Sequence, residues 1–313
     1  MGLSRLLLAA SSLATLTLSA PVKPRQDSSL YYFAFGDSYT TTSYDPNGEQ
    51  PSPSNPLGNP GLGQGTVAGG ENYVGWLATG SGHNNVLAYD FAVSGATITD
   101  SQVPTDPSIH TFEQQVGEWF EPLYTGDRKA WASDNSFFSI FFGINDIGLP
   151  LTSEPGSLID INVRVPALLD AYFGLCERLY NAGARRFMFV SVPPTDRSPY
   201  IASLGADKQA VYSDWVNTFN GQLGQRIPQF TASHDGAVAA TYDYHQWMQV
   251  VLDDAPASGF PDGSCVNGDG VSCIWYNDYH VGSRFNQLLA ERMLPAMNSL
   301  GFDGSQPVGG YFW

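Results

Sequence analysis

The stretch Leu30-Tyr31-Tyr32-Phe33-Ala34-Phe35-Gly36-Asp37-Ser38-Tyr39-Thr40 begins as an unbroken apolar and aromatic run and breaks abruptly into glycine, aspartate and serine. A run with no polar face to give to water reads as a strand buried on both sides. Such strands belong to parallel sheets covered by helices, and whatever follows the run stands at the C-terminal edge of the sheet, where these sheets bind ligands.

Working outward, the alternation continues through the chain. Helical periodicity over 71–77 precedes a strand pattern over 86–93. A helix over 112–123 precedes an apolar strand over 137–142, and a long helix over 161–181 stops at Gly183. Residues 186–192 read as another buried strand ending at Pro193-Pro194. Helical spacing resumes over 206–230, interrupted by Pro228, and 237–242 reads as a fifth strand. Near-continuous apolar strands separated by helices predict a doubly wound α/β fold, a parallel sheet with helices on both faces. The Pro/Gly/Ser/Asn-rich stretch 45–70 is longer than a connector needs to be and is expected to wall a substrate site.

Residues 1–20 carry one early cation, Arg5, then an apolar run ending in Thr17-Leu18-Ser19-Ala20, the pattern of a secretory signal peptide; Lys23-Pro24-Arg25 suits a short pro-piece. Residues 26–313 suffice for a single large domain, and no other apolar run approaches the ~18 residues of a membrane span. Lys and Arg number 14 against 30 Asp and Glu; Arg5, Lys23 and Arg25 fall in the leader, leaving 11 cations and a net charge of −19. Such a surface repels nucleic acid and anionic membranes. Cys265 and Cys273, close together in a Gly/Asp/Ser-rich loop of a chain routed through an oxidising compartment, are expected to form a disulfide. Cys176 falls on one helical face with Val165, Leu168, Leu169, Tyr172 and Leu179, which predicts a buried, inert thiol. No second Cys or His lies at metal-ligand spacing, so no metal site is expected.

Ser38, just past the first strand, is a seat for a nucleophile, although serine after a strand also caps helices. Phe141-Phe142-Gly143-Ile144-Asn145-Asp146 follows another apolar strand and brings Asn145 to the same edge, where its amide can donate to an oxyanion or simply form a turn. Gly95, in Phe91-Ala92-Val93-Ser94-Gly95-Ala96, offers an unobstructed backbone N–H as a second donor, or serves as a plain turn residue. Among His83, His110, His234, His245 and His280, the last stands out as a base, in Trp275-Tyr276-Asn277-Asp278-Tyr279-His280 ahead of a final helical stretch.

Together, G-D-S-Y, A-V-S-G-A, G-I-N-D and the late D-x-x-H-like segment resemble, in order, the four sequence blocks of the SGNH/GDSL hydrolases. The loop with Asn55-Pro56-Leu57-Gly58-Asn59-Pro60, the phrase Glu71-Asn72-Tyr73-Val74 and Asn135 to Ile140 also resemble fungal secreted acetyl esterases of carbohydrate esterase family sixteen. The resemblance implies the flavodoxin-like form of the doubly wound sheet and an esterase that releases acetate from acetylated sugars. Ser38 would attack, His280 would act as base, and the Ser38 N–H, Gly95 N–H and Asn145 amide would form the oxyanion hole. No cofactor is implied, and a monomer is expected. One departure stands out: where the family places an acid, three residues before the histidine, this chain has Asn277, with Asp278 one position out of place as the alternative. Tyr39, Trp275 and Tyr279 are candidate faces for a sugar ring. A lipase or phospholipase acting on longer acyl chains would use the same machinery. A weakened enzyme that serves as a carbohydrate-binding protein is the reading outside catalysis.

Overall fold

The computed structural model describes residues 29–82, 85–153 and 160–313. The leader, the pro-piece and His83 lie outside them. Strand β1 (Leu30–Gly36) is followed by helix α1 (Tyr73–Gly80) and strand β2 (Val86–Asp90). A continuous helical stretch then comprises α2 (Phe112–Gln114), a π-helical segment (Gln115–Phe120) and α3 (Glu121–Tyr124), leading to β3 (Ser136–Phe141). After α4 (Ile144–Ser153) and α5 (Ile161–Asn181) come β4 (Arg186–Val190), α6 (Pro199–Ser203), α7 (Ala206–Ser233) and β5 (Val238–Tyr242). The remaining elements are α8 (Tyr244–Asp253), α9 (Ser283–Ser299) and β6 (Gly310–Phe312).

The six strands form one parallel sheet in the order β2-β1-β3-β4-β5-β6. β1 pairs with β2 on one side and β3 on the other, as Ala34 opposite Asp90 and Ser139 illustrates. The chain therefore reverses direction across the sheet at β1, and a crevice opens there between loops that depart to opposite sides. This is the doubly wound, flavodoxin-like arrangement.

Successive side chains of β1 serve opposite layers, as a strand requires. Phe33 and Phe35 pack against Phe120 of the π-helical segment, at 5.4 and 5.8 Å between ring centres, while Tyr32 faces Tyr73 of α1. α1 packs on α9, and α5 packs on α7. Cys176 is buried on α5 with Val165, Leu168, Leu169, Tyr172 and Leu179. Cys265 and Cys273 are joined.

Several elements differ from the sequence expectation, among them α4, α6 and α8, which lie where no helix was expected. Pro228 does not interrupt α7, which runs on to Ser233. The carbonyl that a helical proline leaves unpaired belongs to Gly224, and both residues are exposed, so water can serve it while Leu223, Ile227 and Phe230 hold the buried face. The helix near 112 contains a π-helical turn. β6 is a short edge strand beyond the expected five.

Candidate active site

The turn after β1 is set by its backbone. The carbonyl of Asp37 accepts the N–H groups of Thr40 and Thr41, and the Asp37 carboxylate accepts that of Tyr39 at 3.0 Å. A side chain on Gly36 would lie 2.5 Å from Thr40 Oγ1 and 3.0 Å from the Phe141 carbonyl, so the tight exit from the strand requires glycine. The Gln115 amide clamps Gly36 from the side, accepting its N–H at 3.2 Å and donating to its carbonyl at 2.9 Å. Asn72, the cap of α1, donates to the carbonyls of Thr40 and Thr41 at 2.5 and 3.1 Å. Ser38 is thereby held partly exposed at the tip of a turn whose neighbours are buried.

The segment before α9 brings His280 to it. His280 Nε2 lies 2.8 Å from Ser38 Oγ, and His280 Nδ1 lies 3.1 Å from Asn277 Oδ1. The same Asn277 oxygen accepts the backbone N–H groups of Tyr279 and His280 at 2.9 and 2.7 Å. Backbone N–H groups only donate, so they fix the amide with its oxygen toward the ring. The ring proton then sits on Nδ1 and Nε2 is left free to take a proton from Oγ. Asp278 is exposed, and among the described residues its carboxylate makes no hydrogen bond to His280. Burial lowers the His280 pKa from 6.5 to about 4, against a weaker upward pull from Asp278, so the imidazole is neutral at neutral pH.

The other two blocks meet the same turn. The Val93 N–H donates to the Gly36 carbonyl at 3.1 Å, and Gly95 turns the chain with φ +83°. Asn145, in the first turn of α4, donates from Nδ2 to the Ala96 carbonyl at 2.9 Å, so the amide and the Gly95 turn lie side by side. Neither the Ser38 nor the Gly95 N–H has a hydrogen-bond partner among the described residues. Asp37 and Asp146 are fully buried beside these groups, and burial foremost raises each to about 7. One oxygen of each carboxylate accepts a loop N–H, from Tyr39 and Ile98 respectively.

Other residues singled out from sequence fall elsewhere. Trp275 is fully buried with its indole N–H on the Gly263 carbonyl, and Tyr39 is 5 % exposed with its hydroxyl on the Tyr279 carbonyl, so neither offers a face to a sugar. Their positions beside the motifs suggested accessibility, but large rings next to a site also serve to pack it. Tyr279 remains partly exposed, with its hydroxyl paired to Tyr212. His110, His234 and His245 engage Glu118, the Phe230 carbonyl and Gln249, away from Ser38. The residues missed from sequence are the clamps Gln115, Asn72 and Asn286. The last of these joins α9 to α1 by accepting the Tyr73 N–H and donating to the Val281 and Gly282 carbonyls.

Comparison with known proteins places the chain in a family. The family model of GDSL-like lipases and acylhydrolases matches residues 32–293. An acetylesterase of Thermothelomyces thermophilus is 35% identical over 293 residues, covering 93% of this chain and 94% of its own. A GDSL esterase/lipase of Arabidopsis thaliana is 20% identical over 269 residues, 74% of this chain and 73% of that one. Among solved structures, a candidate GDSL-like lipase from Parabacteroides merdae ATCC 43184 superposes with a TM-score of 0.50 at 16% identity, covering 87% of this chain and 95% of that one, a likeness of fold. A hydroxyl–imidazole pair at a sheet crevice, beside unpaired N–H groups and within a chain of this similarity, identifies the protein as a carboxylic ester hydrolase belonging to the GDSL-like lipase/acylhydrolase family.

Proposed function

We propose that the protein is a secreted esterase that removes small acyl groups, above all acetyl, from carbohydrate, with Ser38 as nucleophile and His280 as base. The observation that carries this is the 2.8 Å contact between Ser38 Oγ and His280 Nε2 beside a cramped cavity lined by Tyr39, Val67, Ala68, Asn72, Val281 and Asn286. That cavity is barely the size of one water molecule, which leaves no space for an acyl tail there. The similarity to an acetylesterase supports the same acyl group. The carbohydrate part rests on the resemblance of the sequence blocks, and secretion rests on the leader pattern of residues 1–20.

In the first step Ser38 Oγ attacks the ester carbonyl while His280 Nε2 takes its proton. Negative charge collects on the carbonyl oxygen, where the Ser38 and Gly95 N–H groups and the Asn145 amide donate to it. The imidazolium returns its proton to the departing sugar hydroxyl, and water repeats the sequence on the acyl-enzyme. Substrate, water, serine and histidine supply every bond change, so no cofactor enters the scheme.

Nitrophenyl acetate, butyrate and octanoate test the acyl preference. We expect kcat/KM to fall by about 10²-fold from acetyl to octanoyl, roughly what a few kcal/mol of steric exclusion gives. Val67→Ala, which widens the cavity, should recover part of the butyryl rate. Faster turnover of octanoate than of acetate would instead make the protein a lipase. Release of acetate from acetylated xylan, mannan and pectin fragments identifies the glycan.

Asn277 accepts the imidazole proton but adds no negative charge opposite the imidazolium. Asn277→Asp is expected to raise kcat on acetyl esters about ten-fold at neutral pH, some 1.4 kcal/mol of barrier. The added carboxylate also favours protonated His280, so its pKa rises. Wild-type activity should hold as pH falls until about 4, the lowered pKa of His280, and the variant should lose activity at higher pH. Asp278→Ala should cost less than about ten-fold, a surface charge in water being weakly coupled. A pH–rate profile of the three proteins checks this. Near-complete loss in a folded Asp278→Ala protein would transfer the role to Asp278.

A further inference from the structure

The residue after Ser38 and the residue before His280 are bonded to each other. The Tyr39 hydroxyl donates to the Tyr279 carbonyl at 2.5 Å, across 240 positions of sequence. Burial pushes the Tyr39 phenol well above its ordinary pKa, so it stays protonated and stays a donor. Its ring lies 5.4 Å from the His280 imidazole, tilted by 41°. Tyr279 meets the same imidazole edge-on at 5.5 Å, and its hydroxyl is held by Tyr212 at 2.6 Å. The two tyrosine rings also meet each other edge-on at 6.4 Å, so the imidazole rests against a pair of rings that are each pinned at the hydroxyl end.

We propose that Tyr39 is a positioning residue for the reaction: its hydroxyl ties the Ser38 turn to the His280 segment and so sets the distance between Oγ and Nε2. This rests on the reading of Ser38 as nucleophile and His280 as base. The physical need follows from Asn277. A carboxylate would hold the base by charge as well as by a hydrogen bond, whereas a neutral amide holds it by the hydrogen bond alone. A misplacement of ~1 Å can cost about 10²-fold in rate, so a second constraint on the imidazole matters more here than in a triad with a charged partner. The bond lies one residue away from each reacting group. It couples them more directly than the helices behind them do.

The test is Tyr39→Phe, which keeps the ring and removes only the tie. The expected result is a fall in kcat on nitrophenyl acetate of about 10-fold or more, with KM changed by less than about two-fold, because alignment acts on the transition state rather than on binding. In the Asn277→Asp background the same substitution should cost less than about three-fold, since the carboxylate then holds the ring, and this departure from additivity is what a packing role would not produce. Tyr212→Phe, which frees the far ring without touching Tyr39, should show a smaller loss with the same relief by Asn277→Asp; it carries the test if Tyr39→Phe does not fold. Equal losses in both backgrounds, or a rise in KM with kcat intact, would overturn the proposal. Retained activity in Ser38→Ala would overturn the assignment of the nucleophile instead, whatever the tyrosine variants do.

Discussion

Ser38→Ala is expected to lower hydrolysis of acetyl esters by about 10³-fold or more, over 4 kcal/mol of barrier, while the protein folds and melts as before. The fold is insensitive because, among the described residues, the Ser38 hydroxyl bonds only to His280, and it is partly exposed. The turn that carries it is fixed by others, through the Asp37 carbonyl, the Asn72 amide and the Gln115 clamp on Gly36. The reaction is sensitive because, among the described residues, His280 Nε2 bonds to no other hydroxyl. What survives is the polarising effect of the oxyanion donors on direct attack by water. Acetate release measured beside thermal melting separates the two effects, and turnover above about a thousandth of wild type would remove Ser38 from the nucleophile's role.

Much of this site could be read from sequence because of how parallel sheets are built. Strands buried on both faces must be almost wholly apolar, so β1 and β3 announce themselves, and the first polar residues after them necessarily lie at the sheet edge. Ser38 and Asn145 were legible for that reason, and α5 was legible because its helical spacing is long and Gly183 follows it. β6 was not, since Gly310-Tyr311-Phe312 is too short to show a period and has its place only once β5 is beside it.

The supporting shell was legible least. Gln115 sits in a helix like any other polar residue, and its hold on Gly36 depends on how that helix packs against the end of β1, which its own spacing does not show. The side chain that holds His280 was ambiguous between Asn277 and Asp278. Sequence spacing does not say which way a turn folds back, whereas three contacts to one Asn277 oxygen do. Trp275 and Tyr39 misled for a related reason. Adjacency to a catalytic motif in sequence gives the distance along the chain, and burial decides which face of the chain the substrate meets.

Asn145→Ala is expected to lower kcat by about 10²–10³-fold with little change in KM, the loss of one oxyanion donor, some 2.7–4 kcal/mol. The amide is set before substrate arrives. Gly143, at φ +123°, admits no side chain because Val192 and Phe219 lie 2.6 and 2.8 Å from where a Cβ would be, so the chain enters α4 in one conformation. Asn145 Nδ2 then donates one hydrogen to the Ala96 carbonyl at 2.9 Å, which identifies the nitrogen side of the amide and leaves its second hydrogen for the crevice. A donor held this way needs no reorganisation when charge appears on the substrate oxygen, which is where its effect on rate comes from. The ground-state carbonyl carries less charge and sits elsewhere, so binding changes little. The alanine variant also leaves the Ala96 carbonyl without its partner, which should cost about 1 kcal/mol of stability and is measured separately by denaturation. Asn145→Asp sharpens the case. Its carboxylate can only accept when ionised, so it both removes the donor and sets a negative charge beside the developing oxyanion, and its kcat should fall below that of the alanine variant. A rise in KM with kcat unchanged in Asn145→Ala would make the amide a substrate contact, and the charge would then have to be met by the Ser38 and Gly95 N–H groups alone.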